Sequence, residues 1–492
     1  MIISNPRNLV ALSLLVLLLG GLTACSSDGS DESFNAGGPP SGFVETLAVE
    51  GMPLLPQLPM GRPADLSLLE PAERDVVAAA DDRAESLRSR NVEFWIDQPQ
   101  VDVTIREIRH GFTFGFPIEL TRFKEPADLQ WYTERMSEHF SLAVIESDAK
   151  WGVVEPSEGV RDFSRVDADV AWAEENNFTV KGHTLLWGLP KPLSSSALPK
   201  WAEEKFPSTQ LSNEQQEELR VILKSFIQDS VQHFKGRLAY WDVTNETLQP
   251  LAQWFIDRLG PGIVNDSFAW AREIDPDVDL IFNEWIVEVF TGLNAPTAAD
   301  VRDRILQLLA EGAPINALGQ QAHFAPTLAF VDPSQDISGR TRIDDYAEAL
   351  DLLAETGLPV HITETNFIAP DEPELRAAQA EALLRVWWGH PAVEMIVFWG
   401  PWNKVAGRDE FNVGFWDNER NITRHGDAVF SLLNDRWRTN VTVTSGNDGR
   451  FQINAFYGDY VAYWTVDGIT YNTTFSVTRD DETAGIALRT AP

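Results

Sequence analysis

Two glutamates stand at positions where acid–base chemistry could be done. Glu246 ends the segment Trp241-Asp242-Val243-Thr244-Asn245-Glu246, and Glu364 ends Ile362-Thr363-Glu364. Glu246 closes a short apolar run, Glu364 lies within another, and each follows a polar neighbour. A glycosidic bond breaks through an oxocarbenium-like transition state when two carboxyl groups flank it. One protonates the departing oxygen, and the other attacks or stabilises the anomeric carbon from the opposite face. A buried carboxyl beside an amide can keep its proton while its partner stays ionised. Glu246 and Glu364 are therefore the candidate pair for this chemistry. The chain also holds 17 Trp. Most belong in a core, but flat indole faces also stack on sugar rings.

Such a pair needs a scaffold that brings distant segments to one mouth. From Phe112 the chain alternates short apolar runs with amphipathic stretches. The runs are Phe112–Phe116, Leu142–Ser147, Thr179–Trp187, Leu238–Glu246, Asp279–Trp285, Ala317–Phe324, Pro359–Phe367 and Met395–Trp402. Helix-like segments lie between them, among them Asn213–Phe234 and Glu374–Gly389. Eight buried strands alternating with helices predict an α/β fold with a closed (β/α)8 TIM barrel; a doubly wound open sheet fits the length less well. Polar residues cluster at the C-terminal ends of these runs: Glu146, His183, Asn245 with Glu246, Asn283 with Glu284, Gln321 with His323, and Glu364. A barrel carries its active site at that face.

The flanks are read separately. Pro71–Arg90 is predicted as a helix and Asn91–His110 as strands leading into the barrel. Alternating patterns after Thr439 predict a small C-terminal β appendage, with a packing role favoured over carbohydrate binding. The chain then divides into a signal peptide (1–25), a flexible linker (26–63), an N-terminal helix/strand extension (64–111), the catalytic barrel (112–438) and the appendage (439–492).

Composition excludes several classes of function. The formal net charge is −35, which opposes nucleic-acid binding and polybasic membrane contact. The single cysteine, Cys25, allows neither an internal disulfide nor a thiolate metal cluster. The eight His are scattered without paired ligand spacing, so no metal and no cofactor is expected. Cys25 follows an apolar run, Val10 to Leu19, in Leu22-Thr23-Ala24-Cys25. That stretch resembles the bacterial lipobox, which implies lipidation of Cys25 and a lipoprotein at the outer membrane or cell surface, with a periplasm-facing placement left open. A polysaccharide substrate, a lipid anchor and a monomeric state are expected.

Six motifs, in order, carry a more specific resemblance. Trp241 to Glu246 is similar to the acid/base motif of glycoside hydrolase family 10, the xylanase family, and Ile362-Thr363-Glu364 to its nucleophile motif. Gly182-His183-Thr184-Leu185-Leu186-Trp187 resembles its third-strand motif. Glu146-Ser147-Asp148-Ala149-Lys150-Trp151 resembles the second, and Gln321-Ala322-His323 and Phe398-Trp399-Gly400 resemble the sixth and eighth. The resemblance implies retention of anomeric configuration. It implies that Asn245 and His183 bind the −1 sugar and that Glu146 and Lys150 hold the −2 sugar. Trp187 and Trp399 would form the floor and wall of the −1 site. Gln321 would sit near the acid/base, and His323 would contact the nucleophile.

The sequence departs from that pattern at several points. Ser147 stands where the family usually has Asn, Gly188 where it has His, and Asn366 where Asp is common. Gly407 falls where an aromatic is expected, and Asn283-Glu284-Trp285 replaces a segment where Asp and Tyr are usual. An amide at Asn366 would lower the basicity of His323 by removing a charge. The leading expectation is an endo-acting β-1,4-xylanase or related β-glycanase. The alternatives are hydrolysis of a different or decorated β-glycan, and a non-catalytic glycan-capture lipoprotein.

Overall fold

The computed structural model describes residues 39–490 except 52–54, 56–57, 287, 292–294, 327–341, 369, 407–411 and 481–482. Cys25 and Gly407 lie outside the described residues. Eight parallel strands form a closed barrel: β1 (Thr113–Ile118), β2 (Leu142–Ile145), β3 (Thr179–Trp187), β4 (Tyr240–Asn245), β5 (Asp279–Glu284), β6 (Ala317–Pro326), β7 (Val360–Phe367) and β8 (Val393–Phe398). Neighbours pair in chain order, and β8 pairs with β1 to close the ring. The strands are buried on both faces, so they read as continuous apolar runs rather than alternating ones. Inside the barrel, Leu142, Val144, Met395, Val397 and Trp399 form one apolar cluster.

Local signals start the outer helices. Ser212 and Gln215 form a reciprocal capping box at Asn213–His233, and Thr297 with Asp300 does the same at Ala298–Ala310. Each box satisfies two of the backbone N–H groups that a helix start leaves without partners. The helix Pro71–Arg88 begins with Pro and a Glu70–Glu73 box. It packs across Pro373–Trp388, whose small residues Ala377, Ala378, Ala380 and Ala382 are fully buried.

The flanks correct two expectations. Residues 26–63 are not a linker throughout, because Phe43–Leu47 and Val49–Glu50 are strands. Phe43-Val44-Glu45-Thr46-Leu47 runs parallel to Gly485–Arg489, where backbone pairing and strand-forming residues outweigh the surrounding Pro and Gly. Nor are the extension and the appendage separate bodies. One sheet orders Phe43–Leu47, Gly485–Arg489, Ser89–Ile96 and Arg450–Phe456. The other orders Asn440–Thr444, Asp102–His110, Gly458–Val466, Ile469–Val477 and Val49–Glu50. Together they make a β-sandwich with its own core, in which Phe94 stacks on Phe451 at 4.9 Å. None of its described aromatic side chains is exposed.

The sandwich joins the barrel at the N-terminal ends of the barrel strands. Strand Asp102–His110 turns at Gly111 straight into β1, and the Gly111 N–H donates to the Tyr457 carbonyl at 2.8 Å. Arg88 donates to the carbonyls of Trp388, His390 and Val393, just ahead of and at the start of β8. Trp388 stacks on Trp437 at 4.5 Å and meets Phe456 of the sandwich edge-on at 6.0 Å.

Candidate active site

The parallel register aligns the polar strand ends. Trp187 of β3 lies beside Asn245 of β4, and Asn245 beside Asn283 of β5. Gln321 of β6 lies beside Glu364 of β7 after a register shift at Gln320/Gln321. At Glu246 the backbone leaves β4 in the left-handed region, with φ 58°. That conformation costs a non-glycine residue roughly 1–2 kcal/mol. Here the Glu246 N–H is bound to the Asn283 carbonyl at 3.0 Å.

The two carboxyl groups are joined by a chain of amides. Gln321 Nε2 donates to Glu246 Oε1 at 3.2 Å and to Asn245 Oδ1 at 3.0 Å. Asn283 Nδ2 donates to the same Asn245 oxygen at 2.8 Å and to Glu364 Oε1 at 3.0 Å. Thr363 Oγ1 donates to Asn283 Oδ1 at 2.5 Å. With Asn245 Oδ1 taken by two donors, the side chain is fixed. Its Nδ2 has no hydrogen-bond acceptor among the described residues.

The two carboxyls sit in opposite environments. Trp187 Nε1 donates to Glu246 Oε2 at 2.9 Å. Burial and the negative charge of Glu364 outweigh that bond and raise the Glu246 carboxyl above its ordinary value. Burial acts on Glu364 in the same direction but loses. The His323 hydrogen bond, 3.0 Å from Oε2, and the charges of His183, His323 and Lys150 hold Glu364 down at about 2. One carboxyl is thus disposed to hold a proton and the other to stay ionised, as glycosidic cleavage requires.

The remaining expected residues surround this pair. Lys150 Nζ lies 4.8 Å from the centre of the Trp187 ring. Burial lowers the Lys150 ammonium against the attraction of Glu146, Glu364 and Glu246. Trp399 meets His183 edge-on at 5.6 Å and His323 at 6.4 Å. Glu146 shares a cleft with Trp399 and pairs with Arg122 at 3.0 Å.

Several residues gain a place that their sequence positions did not assign. Asp242 of β4 binds His183 Nδ1 at 2.8 Å and Lys181 Nζ at 2.9 Å. It thereby turns the His183 ring so that Nε2 faces Glu364, 3.9 Å away. Lys181 and Asp242 are both fully buried. Asp242→Ala leaves that ammonium without its carboxylate, and a broken buried pair costs about 3–5 kcal/mol. The variant should show a clearly lowered urea midpoint, and an unchanged midpoint would refute the pairing. Asn283 and Glu284 belonged to the strand-end pattern but carried no assigned role. Glu284 is fully buried and accepts from Leu248 N at 2.8 Å, Gln249 Nε2 at 2.6 Å and Trp285 N at 3.0 Å. It so fixes the loop that follows Glu246. Burial pushes the Glu284 carboxyl up to about 8, against those hydrogen bonds.

The departures have local explanations. A Cβ on Gly188 would lie 2.5 Å from the Ala252 carbonyl oxygen, and Trp254 N donates to the Gly188 carbonyl at 3.3 Å. The loop after β4 therefore packs directly on that backbone. Ser147 hydrogen-bonds Glu119. Asn366 lies beside His323 in register and approaches the Trp399 carbonyl through Nδ2 at 3.5 Å. Among the described residues no group of three or more His, Cys, Asp or Glu could hold a metal ion.

The sequence profile of glycosyl hydrolase family 10 matches residues 106–422, well over half of the chain. Anti-sigma-I factor RsgI6 of Acetivibrio thermocellus is 29% identical over 417 residues, which cover 83% of this chain and 49% of that protein. Endo-1,4-beta-xylanase 1 of Arabidopsis thaliana is 25% identical over 388 residues, covering 78% of this chain and 37% of that protein. The chain thus spans about half or less of the length of these two relatives. The crystal structure of xylanase 10B from Thermotoga petrophila RKU-1 in complex with xylobiose superposes with a TM-score of 0.54 at 26% identity, covering 66% of this chain and 94% of that one. The barrel, the ordered strand-end motifs and this match agree: the chain belongs to glycosyl hydrolase family 10.

Proposed function

We propose that the chain cleaves β-1,4-xylan or a closely related β-glycan internally, with retention of anomeric configuration. The observation that carries this reading is the pair of carboxyls in opposite environments, one raised and one held at about 2. In the first step Glu364 attacks the anomeric carbon while protonated Glu246 gives its proton to the departing oxygen. A glycosyl ester on Glu364 forms and the glycosidic bond breaks. In the second step Glu246 takes a proton from water, whose oxygen attacks the same carbon and releases the Glu364 carboxylate. The spare Asn245 Nδ2 suits donation to the sugar 2-hydroxyl, a bond that strengthens in the transition state.

Incubation with xylan, mixed-linkage glucan, cellulose and mannan tests the substrate. Xylo-oligosaccharides whose new ends are first seen by NMR as β anomers are expected. Cleavage of another polymer alone would favour the second reading, a different or decorated glycan. That reading draws on Gly188, where the packed Ala252 carbonyl admits no side chain into the rim. Binding without cleavage of any polymer would overturn the enzymatic reading.

The lipobox-like Leu22-Thr23-Ala24-Cys25 supports an anchored lipoprotein at the outer membrane or cell surface. Cys25→Ser is expected to move the protein from the membrane to the soluble fraction. Continued membrane attachment would refute lipidation.

A further inference from the structure

Arg122 lies outside every strand-end motif, yet its guanidinium ties its own turn to two other segments. It ends the short turn Leu120–Arg122 after β1. Nε donates to Glu119 Oε2 at 2.8 Å, one terminal nitrogen pairs with Glu146 Oε2 at 3.0 Å, and the other donates to the Val405 carbonyl at 3.0 Å. Val405 belongs to the short helix Asn403–Ala406, a few residues past Trp399. The turn is itself braced. Leu120 N donates to Asp169 at 2.9 Å, and Arg165 bonds Thr121 at 3.0 Å and Asp148 at 2.6 Å.

We infer that Arg122 is a positioning residue for the −2 sugar, an assignment that rests on the proposed function above and on the −2 role that the family resemblance implies for Glu146. Three acceptors placed around one planar group are met by a forked guanidinium and not by the point charge of a lysine. The contact occupies Glu146 Oε2, while Oε1 has no hydrogen bond among the described residues. Oε1 is therefore the oxygen offered to a sugar hydroxyl. The same guanidinium offsets the negative charges of Glu119 and Glu146, which would otherwise repel across the cleft. By holding Val405, it also fixes the segment that follows Trp399 relative to Glu146. Neighbouring sugars of one chain would then meet two walls held in fixed register.

The test compares Arg122→Met and Arg122→Lys with the wild type in the full chain. An aryl β-xylobioside fills the −2 and −1 positions; an aryl β-xyloside fills only −1. On the xylobioside, Arg122→Met is expected to lose about tenfold to a hundredfold in kcat/KM, mainly through KM, as for lost hydrogen bonds to a charged group. On the xyloside it should stay within about twofold of the wild type. Arg122→Lys, which keeps the charge but not the fork, should recover only part of the loss. Equal losses on both glycosides would mark a structural role and overturn the inference, as would no loss on either. A wild type inactive on both would instead overturn the proposed function, and this assignment with it.

Discussion

A Glu364→Ala chain is expected to lose roughly four to six orders of magnitude in kcat on xylan, the scale on which loss of a covalent nucleophile acts. The argument is geometric. Glu364 has Asn283 on one oxygen and His323 on the other, and burial keeps water from competing. His183 Nε2 lies 3.9 Å from the same carboxylate, which is held at about 2. Added azide should restore turnover of an activated aryl glycoside, because a small anion fits where the carboxylate stood. It attacks from the face Glu364 used and yields an α-glycosyl azide. A β-azide product, or near wild-type activity without azide, would assign the nucleophile elsewhere.

Glu246→Ala should behave differently with different leaving groups. On xylan the departing sugar oxygen needs a proton, and loss of general acid catalysis costs about a hundredfold to ten-thousandfold. A dinitrophenyl glycoside needs no proton, so its first step is spared and the glycosyl ester accumulates as a burst. Azide then replaces water and gives a β-glycosyl azide. The pH profile carries the same signature. Glu364 must be ionised, so kcat/KM falls as pH drops toward about 2. Glu246 must be protonated, so kcat/KM falls again once pH exceeds its raised pKa. Glu246→Gln should abolish the alkaline limb and leave the acid limb. Persistence of both limbs in that variant would show that another group supplies the proton.

The barrel was legible because its strands are buried on both faces. Each of the eight apolar runs became a strand, and polar residues gathered at one end of them. Asn283 and Glu284 were visible in that pattern, but only three-dimensional partners reveal their work: Asn283 links Asn245 to Glu364, and Glu284 binds the loop after Glu246. Arg122 gave no signal, because it lies in a turn and two of its three acceptors come from other segments, Glu146 after β2 and Val405 after β8. Gly188 read as a missing side chain, whereas the cause is the backbone of residue 252 pressed against it. The sandwich was the largest omission. Alternation marks a strand but does not name its partner, and here strands from both chain ends interleave. Phe43–Leu47, set among Pro and Gly, needed Gly485–Arg489 to become a strand at all.

The position of the sandwich sets the two ends of the barrel apart. The first described residues, from Pro39, run into the sandwich, which joins the barrel at the N-terminal ends of its strands, away from Glu246 and Glu364 at the other ends. The sandwich thus leaves the face that carries Glu246 and Glu364 to the loops that follow the strands.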